Sequence, residues 1–188
     1  EPTSAVKNIF SSFEAGVPIV CGTTGWFGRL PEVKERCHEN SVALFYASNF
    51  SIGVNLFFQT IRAAARMLNN YPEYQVSMTE IHHLQKKDAP SGTAITLSEI
   101  LSDELDGMDG WQRADENTEG KISIEAIREG DVKGTHEVLF TSDVDEIEFT
   151  HRAHSREGFA MGAIKAAEWL QHKKGCFTMT DLLKTEHT

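Results

Sequence analysis

The chain has 188 residues, of which 40% are hydrophobic and 24% charged, a composition typical of a globular protein with one large or two small domains. Its 18 basic and 28 acidic residues give a formal net charge of −10. This balance argues against a surface for nucleic acid or an anionic membrane, because such surfaces draw their affinity from Lys and Arg. A small anionic ligand needs only a local positive pocket and is not excluded.

Several features bear on where the protein works. No apolar run approaches the roughly 18 residues that span a bilayer, and the opening residues EPTSAVKN lack the basic and apolar regions of a signal peptide. The three cysteines are widely spaced without a CxxC pair, which favours a reducing cytoplasm over a disulfide framework or a zinc site. The chain begins without Met and inside a predicted helix, so we expect that an N-terminal part is absent.

Helical and strand-like patterns alternate over residues 1–50. Apolar spacing predicts a helix over residues 3–15, ended by Gly16, and another over residues 31–39. The apolar runs at Val17–Cys21 and residues 41–47 predict strands, the first of them buried on both faces. This alternation indicates a partial parallel α/β unit.

The pattern changes near Asn49. A long helix is predicted to about Asn70, where Asn-Asn-Tyr-Pro breaks it, and an alternating strand follows over Tyr74–Ile81. The remaining predicted elements are a helix at 91–105, a polar loop at 107–120, β-rich segments at 121–128, 132–142 and 146–153, and a helix at 156–173. The turns Gly130–Asp131 and Asp143–Asp145 suggest that the three β segments pair antiparallel.

Two amphipathic helices have predicted inward faces. These are Ile52, Leu56, Ile61, Ala64 and Leu68 in the long helix, and Phe159, Ile164, Ala167 and Leu170 in the last one. We expect an α/β fold in which the second region is an α+β domain with a mixed, mostly antiparallel sheet. The last helix and the tail are expected to pack back on the first unit.

The pair His82–His83 follows a predicted strand, in which neighbouring side chains point to opposite faces. Only one of the two can therefore face a given cleft. A lone histidine is usually structural, but Glu80, Lys86 and a Ser-Gly-Thr turn lie close in sequence and favour a functional site. A zinc site is a poor fit, because no third ligand follows at a suitable spacing, and no metal is expected.

The segment APSGT begins a helix, with either Ser91 or Thr93 as its N-cap. Gly92 lets a ligand approach the backbone, and the N–H groups and dipole at a helix start attract anions. An ordinary capped helix would look the same. Lys86 and the adjacent Lys87 favour an anion site instead, in which the helix start and a lysine hold a carboxylate together. Two such sites would suit a dicarboxylate.

Two further segments follow predicted strands of the first unit. These are Gly22, Thr23, Thr24 and Gly25, and then Ala47, Ser48, Asn49 and Phe50. Ligands of open α/β sheets bind at the carboxyl ends of strands, so the two segments predict a binding edge, although Asn49 could simply cap a helix. Near the last strand, Arg152, His154 and Arg156 are interpreted as structural or rim residues.

The chain closely resembles the dihydrodipicolinate reductase (4-hydroxy-tetrahydrodipicolinate reductase) family of lysine and diaminopimelate biosynthesis. The resemblance rests on GTTGW at 22–26, ASNFSIGVN at 47–55, EIHHLQKKDAPSGTA at 80–94 and the segment from GTHEVLF to AAEWL at 134–170. It covers nearly the whole chain in the expected order.

The resemblance implies reduction of a cyclic imine dicarboxylate with NADH or NADPH as the cofactor. It implies that His82 is the acid/base residue and Lys86 the proton donor, and that the substrate is bound by His83, Ser91, Gly92 and Thr93. It also implies cofactor binding by Gly22, Thr23, Thr24, Ala47, Ser48, Asn49 and Phe50. Residues 1–50 would be a partial Rossmann-like dinucleotide-binding domain with 157–188 packed against it, and 51–156 a substrate-binding and oligomerisation domain in a cytoplasmic homotetramer.

One departure from the family is plain in the sequence. The family's GxxGxMG loop, which cradles the pyrophosphate, is not found among the 188 residues, so we expect this chain alone to have little or no reductase activity. Two alternatives remain open: a dicarboxylate-binding protein that has lost its cofactor loop, and another α/β oxidoreductase acting on an aspartate-derived aldehyde or hydroxy acid. The retained pair His82 and Lys86 counts against the first, and the HH-to-SGT segment against the second.

Overall fold

The computed structural model describes residues 2–184. In chain order its elements are α1 (Pro2–Glu14), β1 (Ile19–Cys21), a 3-10 turn (Phe27–Arg29), α2 (Leu30–Glu39), β2 (Ala43–Tyr46), α3 (Ile52–Leu68), β3 (Gln75–His82), α4 (Gly92–Glu104), β4 (Trp111–Arg113), β5 (Ile122–Arg128), β6 (Thr135–Thr141), β7 (Glu146–Arg152), α5 (Glu157–Trp169), β8 (Gly175–Phe177) and α6 (Met179–Lys184). They form two compact units. The first comprises the residues up to Asn55 and those from Glu157 onward, and the second spans Leu56–Arg156.

The first unit is a parallel three-stranded sheet with helices on both faces. Its strand order is β1-β2-β8, and successive residues of β2 face opposite sides, as strand geometry requires. Leu44 packs with the buried residues of α1 and α2, whereas Phe45 packs with Ala166 and Leu170 at α5 and with Leu182 of α6. This confirms the predicted parallel α/β character, and it adds two short elements, β8 and α6, that the sequence patterns did not predict.

The inward face of α5 differs from the predicted one, although Leu170, just beyond the end of the helix, is buried as predicted. Phe159 and Ile164 are 44% and 52% exposed, while the buried residues of the helix are the small Gly162 and Ala166. The reason is a close approach of backbone, because a Cβ on Gly162 would lie 1.8 Å from the carbonyl oxygen of Phe50. Large residues cannot occupy that interface, so α5 turns its small residues inward.

The second unit is a five-stranded mixed sheet. The strand order is β4-β5-β3-β6-β7. The buried face of its central strands packs against α3 and α4, and this core contains Phe57, Ile61, Met78, Leu97, Leu101, Ile122, Ile124, Val138 and Phe140. Leu56, predicted to face inward, is 50% exposed, because the buried side of α3 includes its neighbour Phe57.

The sheet is less antiparallel than predicted. β3 and β6 pair antiparallel, as do β6 and β7, but β3–β5 and β4–β5 are parallel pairs. The turn at Gly130–Asp131 therefore does not close a hairpin, since β3 lies between β5 and β6. The strand β4 lies within the segment predicted to be a polar loop.

Within residues 2–184, no helix is both long enough and apolar enough to cross a membrane. The three cysteines are free thiols, and Cys21 and Cys37 are buried.

Candidate active site

The central strand β3 carries the candidate site at its carboxyl end. Met78, Glu80 and His82 alternate onto its buried face, and Met78 belongs to the apolar core. The same face therefore changes from apolar to ionisable within two residues of that core. His83 is half-buried and lies just beyond the strand.

Helix α4 begins beside these residues and is capped by Ser91, not Thr93. The Ser91 hydroxyl accepts a hydrogen bond from the N–H of Ala94 at 3.3 Å, and the Ser91 N–H donates to Glu80 Oε1 at 3.0 Å. A hydroxyl acceptor at this position stabilises a helix start by about 1 kcal/mol. Gly92 is exposed in the first turn, at the positive end of the helix dipole.

Lys86 lies in the loop between β3 and α4. Its Nζ contacts both carboxylate oxygens of Asp88, at 2.7 and 2.8 Å, and its hydrogen bonds hold the pKa of the Asp88 carboxyl below its usual value. The Lys86 side chain is 20% exposed, so the ammonium group is partly shielded from water while remaining reachable. Shielding of this kind strengthens its attraction for an anion.

Glu80 lies at the centre of the site, where its fully buried carboxylate contacts four groups. Oε1 accepts from Arg128 Nη2 at 2.9 Å and from the Ser91 N–H. Oε2 lies 3.4 Å from Nδ1 of His82 and 3.8 Å from Nε2 of His136. Strand register explains this cluster, since Glu80 lies directly opposite His136 on β6 and His82 lies beside Arg128 on β5.

Both buried histidines are disfavoured as cations. Burial lowers the pKa of His82, the positive charges of Lys86 and Arg128 lower it further, and the Glu80 carboxylate acts in the opposite direction. Burial lowers the pKa of His136 to about 4, and the neighbouring His82 adds to the effect. The two rings are in edge-to-face contact, with centroids 5.1 Å apart. At neutral pH, His136 is therefore an uncharged neighbour of His82.

Glu80, His82 and His136 are also the one group among the described residues whose ligand atoms converge within 4.8 Å, as a metal ion would require. Two histidines and a carboxylate form a known type of zinc site. Here, however, the guanidinium of Arg128 already neutralises the carboxylate at 2.9 Å. A second cation on the same buried carboxylate would be repelled by that charge, so the cluster is a poor metal site.

In the first unit, the predicted cofactor residues lie side by side at one edge of the sheet. β1 and β2 are parallel with Cys21 beside Tyr46, and the Ala47 N–H donates to the Cys21 carbonyl at 3.2 Å. The Phe50 ring packs over Gly22, where a Cβ would lie 3.2 Å from it. This confirms that the two segments share the carboxyl edge of adjacent parallel strands.

Other residues of the same segments have structural contacts. Thr23 accepts a hydrogen bond from the Trp26 indole through its carbonyl at 2.7 Å. Asn49 Oδ1 accepts from the Ser51 N–H at 2.9 Å, and the Ser51 hydroxyl in turn accepts from Val54. Asn49 thus orders the chain before α3, while Ser51 caps the helix. Thr24 and Ser48 are exposed at this edge.

The sequence patterns missed three residues of the site. Glu80 was noted only as a neighbour, although i, i+2 alternation from a buried His82 would have placed it on the same face. Arg128 and His136 lie 46 and 54 positions after His82, and no local pattern links them to it. Arg156, interpreted as a structural or rim residue, has its Nη2 3.5 Å from Nε2 of His83.

Comparison with known proteins decides the family. The family model for the C-terminus of dihydrodipicolinate reductase matches residues 53–183. A 4-hydroxy-tetrahydrodipicolinate reductase of Christiangramia forsetii is 48% identical over 182 residues, which span 97% of this chain and 76% of that protein. The chain belongs to the dihydrodipicolinate reductase family. The reductase of the same name from Methanoregula boonei is 38% identical, over 98% of this chain and 72% of its own length.

A solved structure agrees with this family in fold. The dihydrodipicolinate reductase of Paenisporosarcina sp. TG-14, determined with dipicolinate bound, superposes with a TM-score of 0.78 at 22% identity. The superposition covers 95% of this chain and 69% of that one. The predicted α/β fold is thereby confirmed. The family model and the sequence relatives confirm the family resemblance, and the family is one of oxidoreductases.

Proposed function

We propose that the protein reduces 4-hydroxy-tetrahydrodipicolinate to tetrahydrodipicolinate with NADH or NADPH. The observation that carries the proposal is the cluster at the end of β3, where His82 rests on the buried Glu80 and Lys86 lies in the loop before α4. The acid/base residue His82, the proton donor Lys86 and the start of α4 come from one continuous stretch of chain. A binding site alone would not need a histidine held against a buried carboxylate.

The reaction adds one hydride and one proton to the ring and releases one water from the 4-hydroxy substrate. Hydride addition to a conjugated imine leaves electron density on the ring, which nearby positive charge stabilises. Lys86 supplies that charge and delivers the proton, with His82 beside it as the acid/base residue. Ser91, Gly92 and Thr93 at the start of α4 receive one carboxylate of the substrate, with His83 and its neighbour Arg156 beside them.

The strand ends of the first unit suit the nicotinamide end of a dinucleotide. Gly22 is followed by the small residues Thr23 and Thr24 and is faced by Ala47 to Phe50 across the sheet edge, where Thr24 and Ser48 are exposed. Bound there, the dinucleotide supplies the hydride. The chain's own contribution is to hold substrate and charge in position.

Two substitutions test the proposed roles in the native protein. His82→Ala should lower kcat by roughly 100-fold or more, the usual contribution of a general acid, with a smaller change in KM. Lys86→Ala should affect both quantities, because the residue binds charge and gives a proton. His151→Ala and Lys121→Ala are matched controls, since His151 is a half-buried histidine on another strand of the same sheet and Lys121 another partly shielded, ion-paired lysine.

The assay follows oxidation of NADH or NADPH with enzymatically generated substrate. An unchanged kcat in His82→Ala would remove His82 from the chemistry. A separate thermal-shift measurement with pyridine-2,6-dicarboxylate distinguishes the enzyme from a dicarboxylate-binding protein without catalysis. Stabilisation by the dicarboxylate with no turnover of either dinucleotide would favour the binding protein.

We also propose that the protein is a cytoplasmic homotetramer joined through the sheet of the second unit. Support comes from β7, which is the last strand in the sheet order and whose residues are mostly exposed. An unpaired edge strand offers backbone groups to another chain. Light scattering coupled to gel filtration checks the subunit number, and a monomer mass at micromolar concentration would contradict this assembly.

A further inference from the structure

The burial of Glu80 is unusual for a charged residue and calls for a compensating arrangement. Its side chain is 0% exposed, and an isolated carboxylate in such a position would be strongly disfavoured. Arg128 compensates the charge, with Nη2 at 2.9 Å from Oε1. Because a buried ion pair of this kind often contributes little net stability compared with apolar residues, the pair points to a role other than stability.

Arg128 also holds the loop that carries Lys86. Its Nη2 donates to the Asp88 carbonyl at 2.5 Å, and its Nε donates to the Lys86 carbonyl at 3.4 Å. One guanidinium thus joins Glu80 on β3 to the backbone on both sides of Lys87. A lysine side chain could supply the charge but not this fork of donors.

Glu80 leaves one oxygen for His82. Oε1 is occupied by Arg128 and Ser91, whereas Oε2 and the Nδ1 of His82 have no hydrogen-bond partner among the described residues. These two atoms lie 3.4 Å apart. Hydrogen bonds between catalytic groups are often long before the substrate binds and shorten in the complex. Two buried polar atoms without a hydrogen-bond partner need an explanation of this sort.

We propose that Glu80 and Arg128 are positioning residues for proton transfer, Glu80 by holding Nδ1 of His82 and Arg128 by holding the Lys86–Asp88 backbone. The proposal rests on the proposed function. When the proton on Nδ1 is shared with Glu80, Nε2 is the atom that exchanges protons with the substrate. A carboxylate orients a catalytic histidine in the same way in other enzymes. The two proton-transfer residues are thus aligned through a single buried ion pair.

Several charged or titratable groups surround His82 and set its protonation. From its own strand there is Glu80, and from the following loop Lys86 and Asp88. Arg128 faces it from β5, and the uncharged His136 from β6. Glu80 and Asp88 favour the imidazolium form, while Lys86 and Arg128 disfavour it. Glu80 is the one of these carboxylates that touches the ring's Nδ1.

Glu80→Gln tests the first half of the proposal in the native protein. The amide can still accept from Arg128 and Ser91, but its NH2 group would face Nδ1 and force the proton to Nε2. We expect kcat to fall by roughly 100-fold with little change in KM, and the pH above which kcat declines to move lower, because a carboxylate that favours the imidazolium is gone. Glu104→Gln is the matched control, since Glu104 is a 10% exposed carboxylate bound by Arg62 and Arg66 in the same unit.

Arg128→Lys tests the second half. We expect KM to rise and kcat to fall together, because the loop carrying Lys86 loses its backbone ties while the buried charge is kept. Circular dichroism and thermal unfolding of each variant, compared with Glu104→Gln, separate positioning from loss of fold. Wild-type kcat and an unshifted pH profile in folded Glu80→Gln would overturn the role of Glu80, and wild-type kinetics in Arg128→Lys would overturn that of Arg128.

An NMR measurement makes the proposal independent of the reaction. With 15N-labelled histidine, we expect neutral His82 to carry its proton on Nδ1 in the wild type and on Nε2 in Glu80→Gln. If the wild type does not reduce the substrate but shows this tautomer change, the proposed reaction fails and the contact stands. A proton on Nε2 in the wild type would overturn the contact in favour of the other tautomer. Stoichiometric Zn²⁺ binding that is lost in Glu80→Gln would overturn it in favour of a metal site.

Discussion

His136 should make the second unit sensitive to mild acid. It is 5% exposed, its Nε2 lies 3.1 Å from the Ser91 hydroxyl, and its pKa falls from 6.5 to about 4 in the folded protein. The unfolded chain therefore binds more protons than the folded one between these two values. Stability is full above the unfolded pKa and is lost as the pH falls toward the folded pKa.

The size of the effect follows from that difference. Going from pH 7 to pH 5, the free energy of unfolding should drop by about 2 kcal/mol through His136 alone, and by roughly 3 kcal/mol once the pH is below 4. Glu80 limits the drop, because its Oε2 is 3.8 Å from the ring and favours the charged form. His136→Gln removes the titration while keeping a neutral polar side chain, so its stability should be lower at pH 7 but less dependent on pH.

Urea unfolding at pH 7, 6 and 5 measures this dependence. Trp111 is the one tryptophan of the second unit, because Trp26 and Trp169 belong to the first, so fluorescence in a background with Trp26→Phe and Trp169→Phe reports on the second unit. His154→Gln serves as the control, since His154 is exposed and the variant should keep the wild-type slope. Equal losses of stability from pH 7 to 5 in wild type and His136→Gln would show that His136 is not held neutral by burial.

Two glycines should be intolerant of a methyl group. Gly162→Ala places a Cβ 1.8 Å from the Phe50 carbonyl oxygen and should destabilise the first unit by about 3 kcal/mol in urea unfolding. Gly158 lies in the same helix, and a Cβ there would be 3.6 Å from its nearest neighbour, the Ser51 hydroxyl, so Gly158→Ala should be neutral or stabilising. Equal stability of the two variants would contradict this packing. Gly134→Ala combines an unfavourable φ of +151° with a Cβ 3.1 Å from Nε2 of His82, so steady-state kinetics should show a lower kcat, and a wild-type kcat would mean that the His82 ring is not confined there.

Much of the fold could be read from periodicity and turn residues. Helices and strands with a clear repeat, such as α1, α4 and β3, lie within a few residues of their predicted bounds, and the glycine-bounded turns after β1 and β2 share a sheet edge as expected. Elements of three residues, such as β4 and β8, could not be predicted, because three residues do not establish a period. The inward face of α5 was wrong because close backbone contact at Gly162 outweighed the usual preference for burying large apolar residues.

The sequence by itself determined the family and the segment proposed to carry the chemistry, since His82, Lys86 and the SGT turn lie within twelve consecutive residues. Only the tertiary structure decided what surrounds His82. The parallel pairing of β3 with β5 and its antiparallel pairing with β6 bring Arg128 and His136 to the carboxylate of Glu80. Strand order depends on long-range packing and leaves no local pattern, so the segment proposed to transfer the proton was visible in the sequence, whereas the buried residues around it were not.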